Sequence, residues 1–212
     1  GQALCQHWQR QGHELWVCSR DPRKVQRLCS GARSVQRLQE LDPAQPFDAV
    51  VNLAGAPIAD RPWSAARREL LWRSRVELTR QLVDWMGQQP AAPRVLLSAS
   101  AIGWYGDQGD TPLTEASPPG GKDFGSTLCM AWEQEAERAS AHGVRVVRLR
   151  IAPVLAPKGG MLARLLPAFK LEGAVWLACL AATAALALLP RRWRWVALGA
   201  AIVVWAVSMP CG

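Results

Sequence analysis

The groups able to do chemistry in this 212-residue sequence gather just after short apolar runs. Four such places are Ser19-Arg20, Leu53-Ala54-Gly55-Ala56, Ser98-Ala99-Ser100 and Ala152-Pro153-Val154. Small residues at three of them would let a flat ligand lie against the backbone. Tight helix–sheet packing selects the same residue types, but their recurrence at successive positions favours a nucleotide crevice. Cys129 is a candidate of another kind. As a thiolate near Arg75 it would serve as an acid or base; as a buried helical thiol it is a small apolar side chain, and that reading is the favoured one. No metal is expected, because the six cysteines (5, 18, 29, 129, 179, 211) form no C-x-x-C pair and only three histidines are present. The same cysteine usage fits a reduced, cytoplasmic compartment for the main domain.

The elements that must position these groups follow from hydrophobic periodicity. Residues 2–11 place Ala3, Leu4, His7 and Trp8 on one helical face, and Gly12 ends it. Residues 13–19 read as a buried strand, and Asp21-Pro22 opens a helix to residue 28. Residues 47–55 form a continuous apolar run, as expected of a parallel strand covered on both faces. A helix is predicted over 64–86, with Leu70, Leu71, Leu78, Leu82 and Val83 as its apolar stripe. A strand at 94–100, a helix at 124–142 closed by Gly143, and a strand at 144–149 complete the pattern. Such alternation specifies an α/β fold with a parallel sheet. Ligands of these sheets bind at the carboxyl ends of the strands.

The charge balance, 25 Lys+Arg against 17 Asp+Glu, gives +8. Of the basic residues 21 are Arg, and they are scattered through helical patterns, as Arg67, Arg68, Arg73, Arg75 and Arg80 show. A solvated Arg-rich surface is expected, and no nucleic-acid partner.

Several segments in fixed order carry a family resemblance. They are Gly12-His13-Glu14, Ser19-Arg20-Asp21-Pro22, the stretch 48–58 from Asp48 through Asn52-Leu53-Ala54-Gly55, the stretch 98–107 from Ser98 to Asp107, and Leu149-Arg150 followed by Val154-Leu155 and Gly159-Gly160. Residues 1 to about 170 resemble the atypical, epimerase-like branch of the short-chain dehydrogenase/reductase superfamily, the NAD-dependent epimerase/dehydratase proteins. The resemblance implies a Rossmann-type doubly wound parallel sheet that binds a nicotinamide dinucleotide and a small-molecule substrate. Members open with a strand and a G-x-x-G-x-x-G turn, and Gly1 resembles the last of those glycines. The sheet is therefore expected to lack its first strand, the chain to begin inside a longer protein, and the isolated chain to bind cofactor weakly or not at all. By the resemblance, Gly1, Ser19, Arg20, Leu53, Ala54, Gly55, Ser98, Pro153 and Val154 line the cofactor. Arg20 stands where NAD-selective members place an acid for the ribose 2′-hydroxyl; a permanently charged, bidentate guanidinium suits a 2′-phosphate. NADP(H) is expected, with NAD the alternative.

The chemistry departs from the superfamily. Its Tyr-x-x-x-Lys pair is absent from the corresponding stretch, Asp123-Phe-Gly-Ser-Thr-Leu-Cys-Met130, in either register. Ser100 resembles the substrate-polarising serine, Arg75 occupies the usual Asn position, and Tyr105 is the only tyrosine in the chain. Ser100, Arg75, Cys129 and Tyr105 are accordingly the catalytic candidates. Trp63, Trp104 and Trp132 are candidate pocket aromatics, although core packing is the commoner role. Two readings stand: an oxidoreductase or epimerase-like enzyme, and a non-catalytic nucleotide-binding or scaffold protein that has lost the Tyr/Lys pair.

Residues 171–212 are unlike the rest. The stretch 173–189 has 17 residues without a charge, Arg191, Arg192 and Arg194 follow, and 196–209 is again apolar. These lengths suit a marginal transmembrane helical hairpin. The positive-inside rule would then place the nucleotide domain on the wrong side, so a tail foreign to the family is preferred over a membrane anchor.

Overall fold

The computed structural model describes residues 1–154, 166–169 and 177. The chain divides into two compact units, Gly1–Ala152 and Pro153–Gly212. The expected hairpin at 173–209 lies outside the described residues, apart from a single helical position. Among the described residues no helix is long and apolar enough to cross a membrane.

The first unit holds five parallel strands and the helices that connect them. Helix α1 (Gln2–Arg10) starts directly after Gly1 and ends before Gly12, whose φ of 84° lies in the left-handed region that glycine enters without strain. None of its side chains is fully buried, so it lies on the surface. Strand β1 (Trp16–Cys18) follows. Helix α2 (Pro22–Leu28) begins with proline at its first turn, and the Asp21 carboxylate accepts from the Lys24 amide at 3.0 Å. Strand β2 (Arg33–Val35) pairs with β1, setting Trp16 opposite Arg33 and Cys18 opposite Val35. Three mostly polar residues carry no periodicity, so nothing in the sequence announces this strand.

The second sheet has the order β3-β4-β5, formed by Ala49–Asn52, Val95–Ala101 and Arg145–Ile151. Its register places Asn52 beside Ser98, and Ser100 beside Arg150. Within the described residues the two sheets share no strand hydrogen bonds. In a doubly wound sheet a further strand would lie between β1 and β3.

Between β3 and β4 the predicted single helix is interrupted. Helix α3 (Ala65–Trp72) passes through a π-helical turn, Arg73–Glu77, into α4 (Leu78–Gly87). The wider turn breaks the 3.6-residue period, and the predicted stripe splits with it. Leu71, Leu82 and Val83 are buried, whereas Leu70 is 45% and Leu78 is 36% exposed. Helix α5 (Phe124–Glu137) is capped by Asp123, which accepts from the Gly125 and Ser126 amides, and it runs through a 3₁₀ turn to Gly143 at φ 74°.

One core cluster contains Val35, Leu82, Val83, Met86, Leu96, Ala136 and Val144, with Trp16 and Val50 packed against it, so that α4 and α5 are bound to residues of both sheets. A second contains Leu71, Val76, Ala99, Leu128 and Trp132. Leu96 is fully buried, and trimming such a leucine to alanine costs about 2–5 kcal/mol.

Candidate functional site

Ser98 and Ser100 lie within β4 and not beyond it, on the same face two residues apart, and both are buried. The Ser100 hydroxyl donates to Glu133 Oε1 at 2.6 Å. Glu133, on α5, is itself buried and is held in a fork by Arg150 of β5: Nε donates to Oε1 at 2.9 Å and Nη2 to Oε2 at 3.0 Å. The remaining arm, Nη1, donates to the Tyr105 hydroxyl and to the Glu115 carbonyl, each at 3.0 Å. The guanidinium carbon sits 4.1 Å from the centre of the Trp104 ring. Glu133 holds this guanidinium above its ordinary range, and Tyr105 adds to the effect. A charge pair placed in low dielectric needs this degree of hydrogen bonding to persist.

Cys129 lies one helical turn before Glu133 and is also buried. Burial pushes its thiol up, and the Glu133 charge adds to the shift; the Ala101 backbone, the Arg75 charge and the neighbouring Ser100 side chain oppose it. Each of these neighbours acts on the thiol that the sequence offers either as an acid–base group or as a small apolar side chain.

Arg75 projects from the π turn. Its Nη2 donates to the Ala56 carbonyl at 2.8 Å, and Nη1 reaches the Leu71 carbonyl at 3.4 Å and Ser74 Oγ at 3.3 Å. Its carbon lies 5.4 Å from the Trp132 ring centre. No carboxylate pairs with it among the described residues, and burial lowers its affinity for a proton. Gly55 packs closely against this side chain, since a methyl on it would sit 3.0 Å from Arg75 Cζ and the guanidinium would have to shift slightly. The β3 loop is tied down from the other side as well. The buried Asn52 donates to Thr79 Oγ1 at 2.8 Å and accepts from the Ala54 amide at 3.2 Å, and Trp132 Nε1 donates to the same Thr79 oxygen at 3.0 Å.

Tyr105 and Ser100 are thus joined through Arg150 and Glu133, while Cys129, one turn from Glu133, and Arg75, on the π turn, make no hydrogen bond to that network among the described residues. Gly55 and the β3 loop adjoin Arg75. Leu53 is 36% exposed. Glu133 and Arg150 are not singled out by their sequence context, although a charge inside an apolar strand, as at Arg150, signals a buried partner. The aromatic candidates separate. Trp132 is core, Trp104 lies under Arg150, and Trp63 lines a cleft of about 490 Å³ with Arg68, Glu69, Trp72 and Phe124.

The cofactor candidates in the other sheet are arranged differently. Gly1 is exposed at the start of α1. The Ser19 amide donates to the Val35 carbonyl at 2.9 Å, and its hydroxyl accepts from the Asp21 amide at 3.2 Å. Arg20 directly follows this turn, with its side chain exposed and no ion pair among the described residues. Pro153 and Val154 open the second unit, and both are exposed. Among the described residues no group of three or more His, Cys, Asp or Glu is placed to hold a metal.

Comparison with known proteins agrees with this architecture. Residues 1–176 match the NAD dependent epimerase/dehydratase family. The chain is 34% identical over 178 residues to the chloroplastic epimerase family protein SDR39U1 homolog of Arabidopsis thaliana, covering 81% of this chain and 50% of that protein. It is 33% identical over 175 residues to the epimerase family protein YfhF of Bacillus subtilis, covering 79% and 55%. The chain therefore spans about half the length of the curated relatives it matches. The crystal structure of human epimerase family protein SDR39U1 with NADPH superposes with a TM-score of 0.64 at 29% identity, over 81% of this chain and 56% of that one. A Bacillus cereus UDP-glucuronic acid 4-epimerase, 16% identical with a TM-score of 0.56 over 75% of this chain and 56% of that one, shares the fold. The parallel sheets, the loop after β3 and the extent of these matches place the chain in the NAD dependent epimerase/dehydratase family.

Proposed function

We propose that the chain is the nucleotide-binding portion of an NADP(H)-using oxidoreductase or epimerase-like protein, acting on a small or sugar-like substrate in the cytoplasm. The observation that carries this reading is the division of labour between Arg20 and Asp21. The acid that would repel a 2′-phosphate is engaged in capping α2, while Arg20 stays exposed and without an ion pair among the described residues. A guanidinium with free donors suits a phosphate. The human relative, whose crystal structure includes NADPH, supports the same choice. The residues present fit a dinucleotide in other respects: α1 has no acid in its first turn to compete for its free amides, and Ala54 and Gly55 leave the β3 loop without bulk. Gly1, Ser19, Arg20, Leu53, Ala54, Gly55, Ser98, Pro153 and Val154 are the proposed cofactor residues. The bound nicotinamide would supply a hydride donor or acceptor.

Of the catalytic candidates, Tyr105 accepts from Arg150 and donates no hydrogen bond among the described residues, so its proton is free for a substrate. Arg75 stiffens the β3 loop. The non-catalytic reading has its own support, because the Ser100 proton is committed to Glu133 and Cys129 is a buried thiol. Ligand-observed NMR with NADPH and NADH tests the cofactor assignment in the weak-binding range. NADPH is expected to bind more tightly and Arg20→Asp to remove the preference; equal or tighter NADH binding overturns it. A change in nicotinamide absorbance with a panel of carbonyl and sugar substrates separates enzyme from scaffold.

A further inference from the structure

One turn of the surface helix α1 faces the end of α2 and the loop after it. Gln6 Nε2 donates to the Leu28 carbonyl at 3.2 Å. Gln9, with its amide oriented to satisfy both partners, accepts from the Gly31 and Ala32 amides at 3.1 and 2.8 Å. Cys5 lies beside Gln6 and one turn before Gln9, and Cys29 lies between Leu28 and Gly31, so these contacts bring the two thiols to the same seam. They belong to one apolar cluster with Val25 and Ala32. Both are free thiols, and Cys29 is buried while Cys5 is partly exposed. Burial pushes the Cys5 thiol up, and a hydrogen bond with Cys29 adds to it. An open groove of about 740 Å³, lined by Gln6, Gln9, Ser30 and Gly31 among others, flanks the pair. We infer that Cys5 and Cys29 are a reversible dithiol–disulfide site that clasps α1 to the end of α2 and takes small-molecule disulfides as its oxidant.

The exchange balances in two steps. The Cys5 thiolate attacks the small disulfide, forming a mixed disulfide and releasing one thiolate. The Cys29 thiolate then attacks the Cys5 sulfur, forming the protein disulfide and releasing the second. Two protons leave the protein and two electrons pass to the small disulfide. Entry at Cys5 is slow, because few molecules carry the thiolate. A resolving thiol in contact should nonetheless prevent the mixed disulfide from accumulating. Since α1 contributes no fully buried side chain, it is the element whose attachment such a bond would change most.

The test uses the full chain treated with oxidised glutathione, followed by mass spectrometry and peptide mapping. The expected product has lost the mass of two hydrogens, contains a Cys5–Cys29 cross-linked peptide and reverts with dithiothreitol. Amides of α1 should then exchange with deuterium at least tenfold more slowly. Cys29→Ala should stop at a stable glutathione adduct on Cys5. A stable adduct on Cys5 in the unmodified chain, a cross-link to another cysteine, or no reaction at either thiol each overturns the inference. The readout is independent of dinucleotide binding, so it stands or falls apart from the proposed function.

Discussion

The β1–β2 sheet and the β3–β4–β5 sheet treat their polar groups in opposite ways. In the larger sheet nearly every notable polar side chain is spent on another: Ser100 on Glu133, Glu133 on Arg150, Arg150 on Tyr105, Asn52 and Trp132 on Thr79. In the smaller one the polar contacts lie at the surface: Arg33 pairs with Glu14, Glu40 accepts from the Gln36 amide, Asp21 caps α2, and the Arg20 side chain is exposed without an ion pair among the described residues. A buried polar group must be satisfied by its own fold, whereas a group kept exposed and unengaged is available to a ligand. On the proposed reading Arg20 of the smaller sheet would recognise a ligand while the buried network of the larger one holds shape, with Tyr105 and Arg75 at the margin between the two roles.

Substitutions can break this contrast, and the largest effect is expected at Glu133. Glu133→Ala strands the Arg150 charge, whose side chain is only 13% exposed, and should remove about 3–5 kcal/mol of stability in urea denaturation. A loss below about 1 kcal/mol would make the network dispensable and undo the comparison. Thr79→Ala leaves the Asn52 and Trp132 donors without their acceptor and should cost about 1–3 kcal/mol by the same measurement.

Asp123→Ala should cost about 1 kcal/mol through the lost cap of α5. This residue also sharpens the comparison through pH. The Ser126 hydroxyl, helped by the Ser126 and Gly125 amides, holds the Asp123 carboxyl below its ordinary value in the folded chain. Its contribution is therefore complete above the unfolded carboxyl's range. It fades as pH falls through that range toward the lower folded value, where Asp123 becomes protonated in both states. Asp123→Asn should keep much of the cap and flatten this acid-side dependence. Arg20→Asp should change stability by less than about 0.5 kcal/mol while abolishing the preference for NADPH over NADH in competition binding. A large stability loss there would move Arg20 into the structural class.

The same contrast explains what was legible in the sequence. β3, β4 and α5 stand out because a continuous apolar run or a helical stripe reports burial directly. The position of Arg20 is legible because lying directly after a strand is a local property of the sequence; its proposed role rests on that position. The Glu133–Arg150 pair is not, because its members are 17 residues apart on a helix and a strand and meet only once both pack. β2 has no apolar signal at all, and its pairing depends on β1 being in place. The α3–α4 interruption escaped because a π turn leaves residue types unchanged and alters only their angular spacing.

That turn has an evolutionary consequence. A π turn is in effect a one-residue insertion into an α-helix, and its removal would swing everything after it by about 100° around the axis. Deleting a residue within Arg73–Glu77 would carry Leu82, Val83 and Met86 off the sheet and take Arg75 away from the Gly55 loop. The helix thus keeps its packing face and its loop clamp in phase through a single inserted residue, and tolerance to length change should be lowest at this point of the long connection.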